Sequence, residues 1–306
     1  TIGIELECFP SEDSPDTFDD FISGNNKFLL ERVGVKEDGS IEPDSSRNGT
    51  EFFVLPTNNN ETEETIRILT DKLNKNEFGI NESCGFHLHI GENDRDKKNK
   101  RLTPMNRHKI MILYAIYKAT MFKMLPSSRT NNQYCDRQAY VITPSMLTKK
   151  AKRNPELYFR EYIGSRYSHL NFECFRRYNT LEVRCHQATI DYTQIINWVK
   201  LNTVLFDYAI RTSYKDLMEL NGTFAELKKI ALHEYPELIS YYGNRIRDYK
   251  VKRTNPLRNS SVRKKVIADI NDVNTDLRNK FVGNYVKFVK KDYIKEIAEF
   301  VENYNI

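Results

Sequence analysis

The 306-residue sequence predicts an α+β protein with a mainly antiparallel sheet. Strand alternation and helical spacing are intermixed as far as residue 189, and after Asp191 only helical spacing recurs, an order that fits an α+β chain and not a doubly wound one. The strand segments have one apolar and one polar face, as half-buried antiparallel strands do. No Gly-rich phosphate loop of either common type occurs. The nearest candidate, residues 79–85, lacks a following Lys-Ser/Thr and precedes a strand.

In order along the chain, residues 2–8 alternate Ile2, Ile4, Leu6 and Cys8 against Gly3, Glu5 and Glu7, a half-buried strand. Residues 18–32 read as a helix, 37–40 as a turn followed by a polar loop to 48, and 50–55 as a strand stopped by Pro56. Residues 61–73 have helical spacing, and 84–90 alternate again. Residues 107–125 read as an amphipathic helix ending before Pro126, and 126–165 as loop and short helix. Short strands at 169–172 and 180–186 are joined by a turn at 176–179. Helices follow at 192–214, 224–235, 262–273 and 292–304, with 237–263 less regular. Trp198, with Ile195, Ile196, Val199 and Leu201, reads as core. The organisation expected is a catalytic domain over 1–215 and a helical C-terminal region over 216–306.

Composition narrows the classes. No run of about 18 apolar residues occurs, so no membrane-spanning helix is expected. Two carboxylates interrupt residues 1–7, which therefore do not read as a signal peptide. The five cysteines are scattered without a CxxC pair, so a reducing cytoplasm is expected in place of a disulfide framework. The net charge of +5 is unevenly spread: −11 over residues 1–100, +11 over 101–200 and +5 over 201–306. An acidic segment facing a basic one suits a site holding metal cations and a polyphosphate together; solvated helix faces are the plainer reading. Nine Lys and Arg against Asp248 alone in 245–265 could meet an acidic partner, and nucleic acid is not expected there because aromatic interleaving is sparse. The abundance of Asn, Lys, Ile and Tyr suggests an AT-rich bacterial or phage genome.

The chemistry gathers on three strands. Glu5 and Glu7, His87 and His89, and Glu182 and Arg184 each stand two apart, so each pair shares the polar face of its strand. Glu51 begins a fourth strand. Each pair has an ordinary reading, as solvated carboxylates or a cross-strand ion pair. Together, carboxylates and imidazole with open positions suit Mg or Mn shared with phosphate oxygens, and arginine suits bidentate contact with phosphate.

With these residues in place, the chain resembles the amidoligases, members of the carboxylate–amine ligase superfamily that includes glutamine synthetase and glutamate–cysteine ligase. The pieces that carry the resemblance are Gly3-Ile-Glu-Leu-Glu7, Asp38-Gly-Ser40, Glu51 before Leu55-Pro56, and Ser83-Cys-Gly-Phe-His-Leu-His89. After them come Ser128-Arg129 with Tyr134-Cys135, Arg166-Tyr167 with Asn171, and Thr180-Leu-Glu-Val-Arg184 followed by Thr189. The resemblance implies a glutamine-synthetase-like sheet with helices on one side, continued by a C-terminal helical extension. It also implies a reaction in which ATP phosphorylates a carboxylate, an amine attacks the acyl phosphate and an amide forms.

Carried over by position, Glu5, Glu7, Glu51, His87 and Glu182 match metal-binding residues, and Arg184 matches the arginine that neutralises the transferring phosphate. Asp38 and Arg129 are candidates to clamp substrate or phosphate. His87, His89, Asn171 and Arg184 are candidates to contact the nucleotide, and Tyr134 to line the pocket. ATP with Mg or Mn is the implied cofactor set. The implied substrates are an amine and a carboxylate on a small molecule, a peptide or a protein terminus. A non-catalytic binding protein on the same fold, or a metal-dependent phosphoesterase, are the alternatives.

Overall fold

The computed structural model describes residues 1–14, 21, 27–57, 59–91, 101–130, 132–135, 148–160 and 166–254. Residues 1–249 form one compact unit. It is built on six strands: β1 (Ile2–Cys8), β2 (Val33–Glu37), β3 (Thr50–Thr57), β4 (Gly85–Gly91), β5 (Leu170–Asn171) and β6 (Thr180–Gln187). The sheet order is β2-β3-β1-β4-β6-β5, and every neighbouring pair is antiparallel. The described helices are α1 (Lys27–Leu30), α2 (Asn59–Lys75), α3 (Pro104–Lys123), α4 (Lys149–Arg153), α5 (Pro155–Tyr158), α6 (Glu173–Tyr178), α7 (Tyr192–Arg211), α8 (Tyr214–Met218), α9 (Phe224–Ile230) and α10 (Pro236–Thr254).

Alternation sends Ile4, Leu6, Phe52, Val54, Phe86, Leu88, Leu181 and Val183 to one face. There they join Ile66 and Leu69 of α2, Ile110 to Leu113 of α3, and Leu201 and Leu205 of α7 in a single core. Two of these helices start on side-chain caps: Thr103 of α3 accepts from the Asn106 amide, and Asp191 of α7 from the Gln194 amide. The core continues past residue 215 through Leu217, Leu227, Leu232, Leu238 and Tyr242.

Several boundaries differ from the sequence reading. β2 was not expected at all; it is five residues long, and only Val33 and Val35 reveal its apolar side. β3 runs through Pro56 to Thr57. Residues 107–114 of α3 are all buried, so this helix is central and not amphipathic; its Arg107 is neutralised by Glu156 at 2.8 Å and stacks on Phe175. The expected turn at 176–179 is mostly the helix α6, and only Asn179 turns left-handed, with φ 54°. The helix expected over 192–214 stops at Arg211, and Ser213 caps the short α8. The stretch after 236 is a regular helix, α10, whose Arg245 donates to the Met124 carbonyl and to Gln194. Of the helix expected over 18–32, the residues other than 21 and 27–32 lie outside the described residues, as do the helices expected at 262–273 and 292–304 and the basic run beyond 254. No described helix is long and apolar enough to cross a membrane.

Candidate active site

Much of the polar face of the sheet is buried. Glu7, Glu51, His87, His89, Asn171 and Glu182 are all buried. Strand register brings them together: Glu7 stands opposite Glu51, and Glu51 opposite Lys36. Glu5 stands opposite His87, His89 opposite Glu182, and Glu182 opposite Asn171. Side chains directly opposite in antiparallel strands are close enough to interact. The β4–β6 register shifts between Phe86 and Leu88, so His87 pairs with no β6 residue and its ring sits among three carboxylates. Its Nδ1 lies 2.9 Å from Glu5 Oε2 and 3.5 Å from Glu182 Oε1, and its Nε2 lies 3.5 Å from Glu7 Oε1.

Two groups of potential metal ligands result. Ligand atoms of Glu5, His89 and Glu182 lie within 4.8 Å of one another, as do those of Glu7, Asp38 and Glu51. His87 stands between the two groups. In the first, His89 Nε2 is 3.1 Å from Glu5 Oε1, and its Nδ1 is 3.0 Å from Thr180 Oγ1. Glu182 Oε2 accepts from Asn171 Nδ2 at 2.7 Å and from the Cys174 thiol at 2.9 Å, while Oε1 accepts from Arg184. In the second, Asp38 Oδ1 accepts from the Ser40 amide and hydroxyl, a local turn that aims the carboxylate. Glu7 Oε2 accepts from the Gly85 amide. A Cβ at residue 85 would sit 3.1 Å from both Glu7 Oε2 and His87 Nε2, so glycine is what lets the backbone reach this carboxylate.

Burial disfavours charge throughout, and local partners decide which groups keep it. Burial pushes Glu5 up, but hydrogen bonds with His87 and His89 prevail and hold it well below the usual carboxylate range. Burial likewise opposes charge on Glu182, and Arg184 with the two histidines keeps it ionised. Glu51 moves the other way: burial and the Glu5 charge raise it, and Lys36 offsets only part. Burial lowers His89 but the bond to Glu5 wins, so its proton is held more tightly than usual. Arg184 is raised despite burial, by Glu182 first.

The residues given a metal, nucleotide, clamping or pocket role from sequence all line one cleft of about 490 Å³: Glu5, Glu7, Asp38, Glu51, His87, His89, Arg129, Tyr134, Asn171, Glu182 and Arg184. Its walls combine carboxylates from the acidic first hundred residues with Arg129, Arg166, Arg177 and Arg184 from the basic second hundred. Arg129 is buried and donates to the carbonyls of Cys84, Arg184 and Cys185, at 3.2 to 3.4 Å. Asn171 also accepts from the Glu173 amide, so it positions Glu182 through a local turn. Thr189 does not line the cleft; it accepts from the Asp191 amide ahead of α7.

Sequence reasoning missed Lys36 and Cys174, and it quoted Tyr167 within the Arg166-Tyr167 piece without giving it a role. Lys36 Nζ is 2.8 Å from Glu51 Oε1. Tyr167 has the guanidinium groups of Arg166 and Arg184 at 4.8 and 5.7 Å from its ring centre. The alternation of residues 33–37 could have exposed Lys36 as a polar-face residue; nothing in the sequence pointed to Cys174.

Carboxylates and histidines floor this cleft and arginines wall it, on one face of an antiparallel sheet. Residues 53–206, half of the chain, match the model of the family described as "Putative amidoligase enzyme". The chain belongs to this amidoligase family, which supports a ligase-type activity at a coarse level. No curated protein matches the sequence. His87, His89, Arg129, Asn171, Glu182 and Arg184 fall inside the matched span, whereas Glu5, Glu7, Asp38 and Glu51 precede it.

Proposed function

We propose that this protein is an ATP- and Mg²⁺-dependent carboxylate–amine ligase that works through an acyl phosphate. The observation that supports this reading is the pair of three-ligand groups side by side on one buried sheet face. Five carboxylates and one imidazole are a donor set suited to hard divalent cations, Mg²⁺ or Mn²⁺. Glu5, His89 and Glu182 would hold one cation and Glu7, Asp38 and Glu51 the other. Such cations, when bound, neutralise and orient the phosphates of ATP.

The remaining work belongs to the chain's own side chains. An oxygen of the substrate carboxylate attacks the γ-phosphorus and ADP leaves; the amine nitrogen then attacks the acyl carbon, phosphate leaves and the nitrogen gives up a proton. Charge builds on the transferring phosphoryl oxygens, and a fixed cation nearby lowers that barrier. Arg184 supplies one: it is held by Glu182, by the Tyr134 carbonyl and against the Tyr167 ring. Arg129, held by three backbone carbonyls, adds a second positive charge to the same cleft.

Thermal stability with and without MgATP, for the wild type and Glu7→Ala, is the first test. Ligand at ~100 times its Kd stabilises by about 2.7 kcal/mol, and the variant should lose that gain. ADP release should then require both a carboxylate and an amine. Equal stability with and without MgATP in the wild type would overturn the nucleotide reading, and hydrolysis of phosphate esters without nucleotide would favour a phosphoesterase.

A further inference from the structure

We infer that Lys36 is a built-in counter-ion of the Glu7, Asp38 and Glu51 group, which a divalent cation must displace, so that the two cation positions load unequally. The inference rests on the metal reading above and concerns how that site fills.

Each ligand group already carries one protein cation on its outermost glutamate, but the two cations are held differently. Arg184 sits on Glu182 with its side chain only 14% exposed, and it is further held by the Tyr134 carbonyl and the Tyr167 ring. It cannot withdraw without breaking several contacts. Lys36 sits on Glu51 at 2.8 Å, with its side chain 57% exposed against 5% for Glu51, and among the described residues Glu51 is its only ion-pair partner. It projects from β2, which among the described residues has no neighbour on its outer side in the sheet order, so its four-carbon stem can swing past the edge. Lys36 is also opposite Glu51 in the strand register, so its ammonium is returned to the same place by the backbone and not by a chance rotamer.

Three carboxylates with ligand atoms within 4.8 Å repel one another strongly. In the absence of metal, one ammonium relieves part of that repulsion. A dication entering the group competes with the ammonium for Glu51 and is repelled by it while both remain. The Glu5, His89 and Glu182 position has no comparable exchange, because its arginine stays where it is. The structure thus assigns Lys36 as a positioning residue that sets the order of loading: the Glu5 position first, the Glu7 position second and more weakly.

The test is a Mn²⁺ titration of the full chain by calorimetry, with free Mn²⁺ followed by electron paramagnetic resonance. The proteins are the wild type, Lys36→Met, Lys36→Arg and Glu51→Gln, each checked for folding by circular dichroism. The wild type should bind in two unequal steps, and Glu51→Gln should lose the weaker one. Lys36→Met should tighten the weaker step about tenfold or more, and Lys36→Arg, which keeps the charge, should leave it weak. An unchanged weaker step in Lys36→Met, an equal tightening in Lys36→Arg, or two equal steps in the wild type would each overturn the inference alone. No Mn²⁺ binding by any of the four proteins would overturn it together with the metal reading.

Discussion

Around Glu182 the carboxylate cluster is closed, and around Glu51, on the other side of β1, it is open. Both glutamates are buried and each is paired with a cation. Three donors converge on Glu182, from Arg184, Asn171 and Cys174, which belong to β6, β5 and α6. Glu51 has one exposed lysine from an edge strand and a proton affinity raised by burial and by Glu5. The contrast shows what a neighbouring element does to a charge. Where β5 and α6 cover the strand, the carboxylate's partners are buried with it; where the cover is β2, at the edge of the described sheet, the partner is an exposed lysine.

The largest test of that contrast removes the two cations in turn. Arg184→Met leaves buried Glu182 without its neutralising partner and should cost about 3–5 kcal/mol in urea unfolding of the metal-free protein. Lys36→Met should cost no more than about 1 kcal/mol, because the exposed lysine keeps most of its hydration and the half-exposed pair contributes little. Similar losses in the two variants would erase the distinction.

A smaller effect is expected from Asn171→Ala. It strips one donor from Glu182 and frees the Glu173 amide, for about 1–3 kcal/mol of stability, and should weaken Mn²⁺ binding at the Glu5 position. If stability falls and the tighter Mn²⁺ step does not move, Asn171 supports the fold alone.

The smallest effect has the opposite sign. The folded state holds Glu51 above its ordinary value, so its ionised form opposes folding, and protonation on lowering the pH removes that opposition. Glu51→Gln should therefore slightly stabilise the metal-free protein at pH 7, and the gap to wild type should close as the pH falls toward the ordinary carboxylate range. Glu5 and Glu182, held below their ordinary values, contribute stability above the unfolded carboxylate range and lose it only in stronger acid, so they do not disturb this window. A gap that stays constant or widens between pH 7 and 5 would show that Glu51 is not the strained member.

Much of this was legible before any coordinates. Period-two alternation marked β1, β4 and β6, and because i and i+2 share a face, Glu5 with Glu7, His87 with His89, and Glu182 with Arg184 could be placed on common surfaces. β2 escaped because five residues with two valines carry too little signal, and with it went Lys36. α3 looked amphipathic because its Arg107, His108 and Lys109 are polar; only tertiary partners such as Glu156 and Tyr214 explain why all three are buried. Cys174 was invisible as a site residue because its role depends on the turn into α6, which sets its thiol 2.9 Å from Glu182.

The sequence by itself determined which residues share a strand face, since that follows from local backbone geometry within one segment. It also determined that the acidic and basic thirds of the chain would supply opposite charges. Only the tertiary structure decided which strands became neighbours. Strand order and register put Lys36, Glu51 and Glu7 in one row and His89, Glu182 and Asn171 in another. That assignment depends on pairings between residues as much as 93 positions apart, as for His89 and Glu182, where no local periodicity reaches and the packing of the apolar face fixes the register.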